Sequence, residues 1–310
     1  MTGKTDFDIA GIADQLAGVA GIEVKTEEII APYTSYRIGG PAAIWAAPAN
    51  EDGIGETLAI VSEADIPLFI LGHGSNLLVS DKGWPGVILY LGGNLSGWRF
   101  DGTAATVMAG TRLLDLIRDT VDQGLGGMEL MAGIPGSVGG ALRMNAGAFG
   151  QEIQQTTLKV NGFQLDGSPF KAGRNEIDFG YRRVPQLERV VIASGEFCFE
   201  KTAAGILKQR MNDILELRAK KQPLNYPSCG SVFKRPPGYY AGVLIEEAGL
   251  KGERIGDAMV SPKHAGFILN TGKASAADVF SLIRKIEDRV WERFGVKLER
   301  EVKLIGKFDE

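Results

Sequence analysis

LGGMELMAGIPGSVGGALRMNAGAFG, residues 125–150, decides how the rest of the chain is read. Its glycines are too dense for a stable regular element, because glycine loses more backbone freedom on ordering than any other residue. Its apolar residues are too many for a solvated connection. An ordered loop packed against a ligand satisfies both conditions. Gly133, Gly136, Ser137, Gly139 and Gly140, then Asn145 and Gly147, carry little side-chain bulk, so the backbone can lie flat against a large planar or diphosphate ligand. Close packing of protein on protein is the other use of such glycines.

Working outward, a second cluster lies upstream. LGHGSNLLVS, residues 71–80, follows the apolar run Ile66 to Leu71, and Gly72, Gly74, Ser75 and Asn76 form a concave turn of backbone N–H groups suited to a pyrophosphate. Leu77 stands where a dinucleotide fingerprint needs its third glycine, and no Gly-Lys-Ser/Thr follows, so neither G-x-G-x-x-G nor a P-loop is met. An ordinary strand-to-strand turn is the plain alternative. Two clusters beside apolar strands, in a chain whose 42 glycines among 310 residues exceed the usual share of roughly 7%, point to an extended nucleotide cofactor.

The flanking periodicities predict a helix over Asn50–Ala64, strands at Ile66–Leu71, Gly86–Leu91 and Thr106–Ala109, and a helix carrying Leu113, Leu114, Ile117 and Val121 that Gly124 ends. A hairpin is expected from Leu158 to Phe170 around Asp166-Gly167. Val190–Glu200 reads as a strand with one buried face, Cys198 pointing away from Phe197 and Phe199. A helix over about Ala203–Lys220 leads to a candidate domain boundary, and Ser275 with Asp278 forms a capping-box start for the last helix. The closing VKLEREVKLIG alternates, with Val296, Leu298, Val302 and Leu304 on one face and Lys297, Glu299, Glu301 and Lys303 on the other. The pattern is mixed α/β or α+β, and no single doubly wound sheet accounts for it.

Composition narrows the function. A formal charge of -4 gives no basic field for nucleic acid. Cys198 and Cys229 with His73 and His264 make neither a disulfide framework nor a zinc cluster, so no metal is expected. The amino-terminal stretch is interrupted by Asp6, Asp8 and Asp14, and no run of eighteen apolar residues occurs, so a cytoplasmic protein with no membrane partner is expected. FGYRR, residues 179–183, offers guanidinium groups for a carboxylate or phosphate, and paired arginines are also common on solvated faces. KQPLNYPSCGSVFKRPPG, residues 221–238, is a proline-stiffened cationic loop suited to a small anion; Cys229 reads as a bystander and His264 as a structural hydrogen-bonding residue.

These motifs, with YTSYRIGGPA, SPKHAGFILN and LEREVKLIG, occur in one order from about Tyr33 to Gly306, and the chain there resembles the UDP-N-acetylenolpyruvoylglucosamine reductase family, in the form without an extra tyrosine-bearing loop. The resemblance implies an α+β fold: a two-part FAD-binding region of the vanillyl-alcohol-oxidase/PCMH type (1–84 and 85–202), then an α/β substrate-binding domain (203–310) whose terminal strand can return to the FAD region. It implies FAD as cofactor, NADPH as co-substrate, a nucleotide sugar as substrate, and a monomer. It assigns Gly72, Gly74, Ser75, Asn76 and Leu77, and Gly133, Ile134, Pro135, Gly136, Ser137, Gly139, Gly140, Asn145 and Gly147, to FAD. It makes Ser231 the proton donor beside Arg182 and Glu301, with Tyr181, Lys221, Lys234 and Arg235 towards substrate. Spacing alone does not separate Glu299 from Glu301; only the resemblance chooses. Arg235 and Asp257 depart from the family pattern.

Overall fold

The computed structural model describes residues 7–309, so Asp6 and the residues before it lie outside the description. The chain forms two compact units. One is built from 42–73 and 85–215 with the segment up to Glu28, the other from Ile29–Pro41, Gly74–Trp84 and the chain from Glu216 onward. The sequence reading drew contiguous boundaries after residues 84 and 202, whereas these units are discontinuous. Strand pairing is the reason: Leu77–Val79 runs parallel to Lys303–Ile305, so the chain after the first glycine cluster belongs with the carboxy-terminal residues. The terminal strand Lys303–Ile305 and its partner Leu77–Val79 lie in the same unit.

The first unit holds two larger sheets, beside the short pairs Gly147–Ala148 with Gln151–Glu152 and Leu125–Gly126 with Glu200–Lys201. A four-stranded sheet has the order Ile22–Ile29, Pro41–Pro48, Trp84–Tyr90, Leu68–Leu71. The helix Glu51–Glu63 starts where the Asn50 side chain accepts from Gly53 N–H at 2.9 Å, and it buries Ile54, Leu58 and Val61. A five-stranded sheet has the order Pro169–Gly173, Thr157–Gln164, Val190–Cys198, Ala104–Met108, Trp98–Asp101. Its expected hairpin turns at Gly167, whose φ of +85° favours glycine.

Val190–Cys198 is central in this sheet and buried on both faces from Val190 to Gly195, where one buried face was expected. Ser194 Oγ donates to Glu51 Oε1 at 3.2 Å, while a Cβ on Gly195 would lie 3.0 Å from Leu142 Cδ1. Neighbouring strand residues face opposite ways, so the strand has a cover on each side. Cys198 is exposed, and Phe197 and Phe199 are buried, as the alternation predicts.

The glycine-rich stretch contains a regular element after all: Val138–Arg143 is a helix. Ser137 accepts from Gly140 N–H at 3.2 Å, and Val138, Ala141 and Leu142 are buried. Capping and burial offset the poor helix propensity of Gly139 and Gly140.

In the second unit a three-stranded antiparallel sheet, Arg254–Ile255, Ala258–Val260 and Ile268–Asn270, packs with the helices Ala241–Glu247 and Ala276–Phe294. Val279, Leu282, Ile283, Ile286 and Val290 of the long helix are buried, each worth about 1.5–3 kcal/mol. Its start is overdetermined. Ser275 Oγ accepts from Asp278 N–H and Asp278 Oδ2 from Ser275 N–H, both at 3.0 Å, and Asp81 accepts from Ala276 and Ala277 N–H at 2.8 and 3.1 Å. Gly295, at φ +64°, closes the other end. The final regular strand is only Lys303–Ile305, shorter than the alternation implied, because its ladder begins where Asn76 C=O accepts from Lys303 N–H. Leu298 and Val302 are nonetheless buried and Lys297, Glu299 and Lys303 exposed. No helix among the described residues is long and apolar enough to cross a membrane.

Ser275→Ala removes one half of the capping box, and about 1 kcal/mol of stability should be lost with it. Urea denaturation followed by circular dichroism reads this as a lower midpoint; an unchanged midpoint would show that Asp81 alone suffices.

Candidate active site

The two glycine clusters meet. In the first unit a Cβ on Gly72 would stand 2.5 Å from Ser137 Oγ, so these two segments pack at the closest distance that only glycine permits. Gly133 and Gly136, at φ +82° and +119°, turn the chain between Met131 and Ser137, leaving Ile134 and Gly136 half-buried and Pro135 exposed along the surface. Gly139 has a different reason to be glycine: a Cβ there would lie 2.8 Å from Ala109 Cβ, and its N–H donates to Ala109 C=O at 2.8 Å. Val138 N–H goes to Thr111 C=O and Gly140 N–H to Ser137 Oγ. Protein-on-protein packing therefore accounts for the helix start. At Gly147 a Cβ would be 2.6 Å from Gln151 C=O, in the turn after Asn145.

The first cluster continues into the second unit. Gly74, at φ +57°, would place a Cβ 2.2 Å from Tyr33 C=O, and its own carbonyl accepts from Ser35 N–H at 3.0 Å. Asn76 Nδ2 donates to Glu301 C=O at 3.1 Å, a role the sequence did not reveal because its partner is so distant along the chain. Ser75 and Leu77 are half-buried beside it.

Arg182 sits on a tight turn of the first unit. Gly180 and Arg183 exchange backbone hydrogen bonds of 2.9 and 3.4 Å, which puts Tyr181 and Arg182 at the tip. Arg182 has φ +55°, a conformation costly for a residue with a side chain and concentrated at functional sites. Its Nη2 donates to Gly147 C=O at 3.3 Å, and its guanidinium lies 5.4 Å from the centre of the exposed Tyr181 ring. Asn145 is 1% exposed; its Nδ2 donates to Glu152 Oε2 at 2.9 Å and to Gly180 C=O at 3.2 Å, while its Oδ1 has no hydrogen-bond partner. A buried acceptor of this kind costs about 1–3 kcal/mol unless a donor reaches it.

Ser231 and Glu301 belong to one patch of backbone in the second unit. The segment 231–234 lies between two others: Val232 N–H donates to Gly266 C=O at 3.0 Å, and Val232 C=O accepts from Glu301 and Val302 N–H at 2.8 and 3.2 Å. Ser231 is exposed and Glu301 half-buried. The two glutamates that spacing leaves open differ in their surroundings. Glu299 points to solvent and pairs with Lys234 Nζ at 2.5 Å, whereas the charge of Glu301 is felt at the buried Cys229 thiol.

Among the other expected residues, Lys221 is exposed at the end of the helix Ala204–Lys221, Lys234 is engaged by Glu299, and the Arg235 guanidinium stacks 4.0 Å from the Tyr240 ring centre. Asp257, the other departure, accepts from Lys273 N–H at 2.8 Å and so holds the loop before the last helix. His264 Nδ1 accepts from Gly266 N–H at 3.1 Å, and burial lowers its pKa, which fits a neutral structural imidazole. Among the described residues no group of His, Cys, Asp and Glu could hold a metal ion.

Residues 42–168 match the model of the FAD binding domain, which places the chain in the flavoprotein class. Residues 222–305 match the UDP-N-acetylenolpyruvoylglucosamine reductase C-terminal domain. A reductase of that name from Clostridioides difficile (strain 630) is 40% identical over 286 residues, covering 92% of this chain and 94% of the relative. Reductase 2 from Bacillus cereus (strain ATCC 14579) is 41% identical over 288 residues, 93% and 94% of the two chains. The crystal structure of the reductase from Thermus caldophilus superposes with a TM-score of 0.80 at 33% identity, covering 92% of this chain and 100% of that one. The chain belongs to the UDP-N-acetylenolpyruvoylglucosamine reductase family.

The two thiols should behave oppositely. Burial pushes Cys229 up to about 12, contact with the Tyr36 hydroxyl pulling against this and Glu301 adding to it, so the reactive thiolate is scarce at neutral pH. Titration with a chromogenic disulfide at pH 8 should count one accessible thiol in native protein, Cys198, and two after denaturation. Rapid modification of Cys229 in folded Cys198→Ser protein would contradict its burial.

Proposed function

We propose that this protein reduces the enolpyruvyl group of UDP-N-acetylglucosamine enolpyruvate to give UDP-N-acetylmuramate, with FAD as bound cofactor and NADPH as reductant. The observation that carries the reading is the main-chain pairing of Glu301 N–H with the C=O of Val232, the residue next to Ser231. Family membership and the match to an FAD-binding domain support the same conclusion. We further read it as a monomeric cytosolic enzyme of peptidoglycan precursor synthesis.

The residues fit FAD on two grounds. Segments 72 and 133–147 pack at glycine-only distances, and the buried Asn145 Oδ1 is an acceptor awaiting a donor such as a flavin imide N–H. Gly72, Gly74, Ser75, Asn76 and Leu77, with Gly133, Ile134, Pro135, Gly136, Ser137, Gly139, Gly140, Asn145 and Gly147, would hold the cofactor. When bound, FAD supplies the hydride chemistry that links NADPH to the substrate.

The chain's own residues manage charge and a proton. Hydride addition to the enolpyruvyl methylene carbon sends the π electrons towards the carboxylate and leaves the neighbouring carbon carbanionic. The Arg182 guanidinium can donate two hydrogen bonds to that carboxylate, and a Glu301 carboxyl can donate a third where negative charge grows. Ser231 Oγ–H forms the new C–H bond by giving its proton to the carbanionic carbon. A serine hydroxyl is a weak acid, so this depends on position and on the high basicity of the carbon. Tyr181, Lys221, Lys234 and Arg235 are proposed for the nucleotide-sugar portion. Pairing with Glu299 and stacking on Tyr240 would orient the last two.

The purified protein should be yellow, bleach with NADPH and regain colour with the enolpyruvyl substrate. Ser231→Ala should reduce its flavin at the wild-type rate while product formation falls by about 10³-fold or more, since general acid catalysis typically contributes 10²–10⁴. Colourless protein that takes up no FAD, or a variant active in both halves, would exclude the assignment.

A further inference from the structure

We propose that His264 is a positioning residue for Ser231, holding the amide of Gly266, whose carbonyl in turn fixes Val232 beside Ser231. The role depends on Ser231 being the proton donor.

A line of hydrogen bonds in the second unit leads from the imidazole to the serine. Gly266 N–H donates to His264 Nδ1 at 3.1 Å, and Val232 N–H donates to Gly266 C=O at 3.0 Å. Ser231 itself pairs with the next residue, Phe267, in an isolated antiparallel bridge. The Phe267 ring meets the imidazole edge-on, with ring centres 5.0 Å apart. His264 therefore touches both residues that set the register of the Ser231 segment. Gly242 and Gly266 leave room for the ring, since a Cβ on them would lie 3.2 and 3.0 Å from His264 Cε1.

Residues 261–267 form a closed loop whose inner amides are taken up by side chains. Ser261 N–H donates to Phe267 C=O at 2.9 Å and Phe267 N–H to His264 C=O at 3.0 Å. The buried Ser261 Oγ accepts from Lys263 and His264 N–H, both at 3.1 Å, and His264 Nδ1 takes the amide of Gly266. Of these two acceptors only the imidazole titrates. A ring nitrogen that accepts an N–H carries no proton, so the geometry calls for the neutral tautomer with its proton on Nε2. Burial, the largest influence, lowers the His264 pKa, a backbone hydrogen bond opposes it, Lys251 adds to it and Glu246 opposes it. Glu246 and Lys251 pair with each other at 2.6 Å, and Lys263 in the same loop donates to Ala219 C=O at 2.7 Å.

Protonation of Nδ1 replaces the acceptor with a second donor aimed at Gly266 N–H. Gly266 is buried, so its amide is then left unsatisfied, which favours movement of the chain. With no Cβ at Gly266, the peptide plane that carries its carbonyl pivots readily. Val232 N–H follows or loses its bond, and the Ser231 hydroxyl is displaced. A shift of about 1 Å is enough for a 10²-fold loss where a weak acid acts by position. Because the folded pKa lies below the usual value of about 6.5, the anchor is complete above that pH and is lost as pH falls through the His264 titration.

Two substitutions test this in the FAD-loaded protein. His264→Ala offers no acceptor, whereas the side-chain oxygen of His264→Asn accepts from the N–H two residues on, as in an Asx turn, and does not titrate. At about pH 8 reoxidation of the flavin by the enolpyruvyl substrate should slow about 10-fold or more in His264→Ala and stay within about 3-fold of wild type in His264→Asn. Reduction by NADPH should stay within about 3-fold of wild type in both, since it does not use Ser231. The ratio of wild-type to His264→Asn reoxidation rates cancels the titration of substrate and of Glu301. It should be flat from about pH 7 to 8 and fall about 5-fold or more as His264 gains its proton, at the midpoint where the His264 ring and the Gly266 amide move together by NMR. That ratio and the NMR titration decide the matter if His264→Ala does not fold. Normal reoxidation in folded His264→Ala, no rescue by His264→Asn, a ratio that ignores the His264 titration, or a proton on Nδ1 at neutral pH overturns the proposal. Normal product formation by Ser231→Ala would instead remove the role given to Ser231.

Discussion

One backbone carbonyl organises the part of the second unit that carries Ser231 and Glu301. Val232 C=O accepts from Glu301 and Val302 N–H, and through it the proline-stiffened loop and the chain terminus share a register. Asn76 extends this register on the far side, its side chain on Glu301 C=O and its own carbonyl on Lys303 N–H. A residue between two neighbouring backbone segments has little freedom to drift. The exposed Ser231 hydroxyl and half-buried Glu301 thus stand on main chain that is hydrogen-bonded on both sides. Preorganisation of this kind matters where charge develops during reaction, because the groups need not reorient when it does.

The first unit solves a related problem with strain. Its candidate electrophile, Arg182, occupies left-handed backbone at the tip of a tight turn, where Gly180 C=O accepts from Asn145 Nδ2. The glycines there divide by physical cause. Gly72 and Gly139 permit close approach of protein to protein, and Gly133 and Gly136 permit a chain direction closed to other residues. Beside them lies one buried amide oxygen, Asn145 Oδ1, without a donor. These are properties a planar cofactor can use, and they come from packing the loop well, so cofactor recognition and fold stability draw on the same residues.

Much was legible in the sequence where a local rule governs. Asn50, Ser275 and Gly295 mark helix ends by capping and left-handed geometry, and Asp166-Gly167 marks a hairpin; those signals involve only near neighbours. The glycine-rich stretch misled at one point, because burial of Val138 and Leu142 and a cap from Ser137 outweigh weak propensity over one short helix. Val190–Cys198 misled for a similar reason: Glu51 and Leu142 cover its two faces, and both lie far away along the chain.

Composition and short-range periodicity determined the mixed class of fold, and motif order the resemblance to the family; that resemblance, and not spacing, singled out Ser231, Arg182 and Glu301 as candidates. Tertiary structure decided that Glu299 pairs with Lys234, which glycines serve packing and which serve chain direction, and which distant segments make up each unit. Those outcomes depend on partners such as Lys234 for Glu299, Ala109 for Gly139 and Lys303–Ile305 for Leu77–Val79, and no local pattern encodes a partner that only folding brings near.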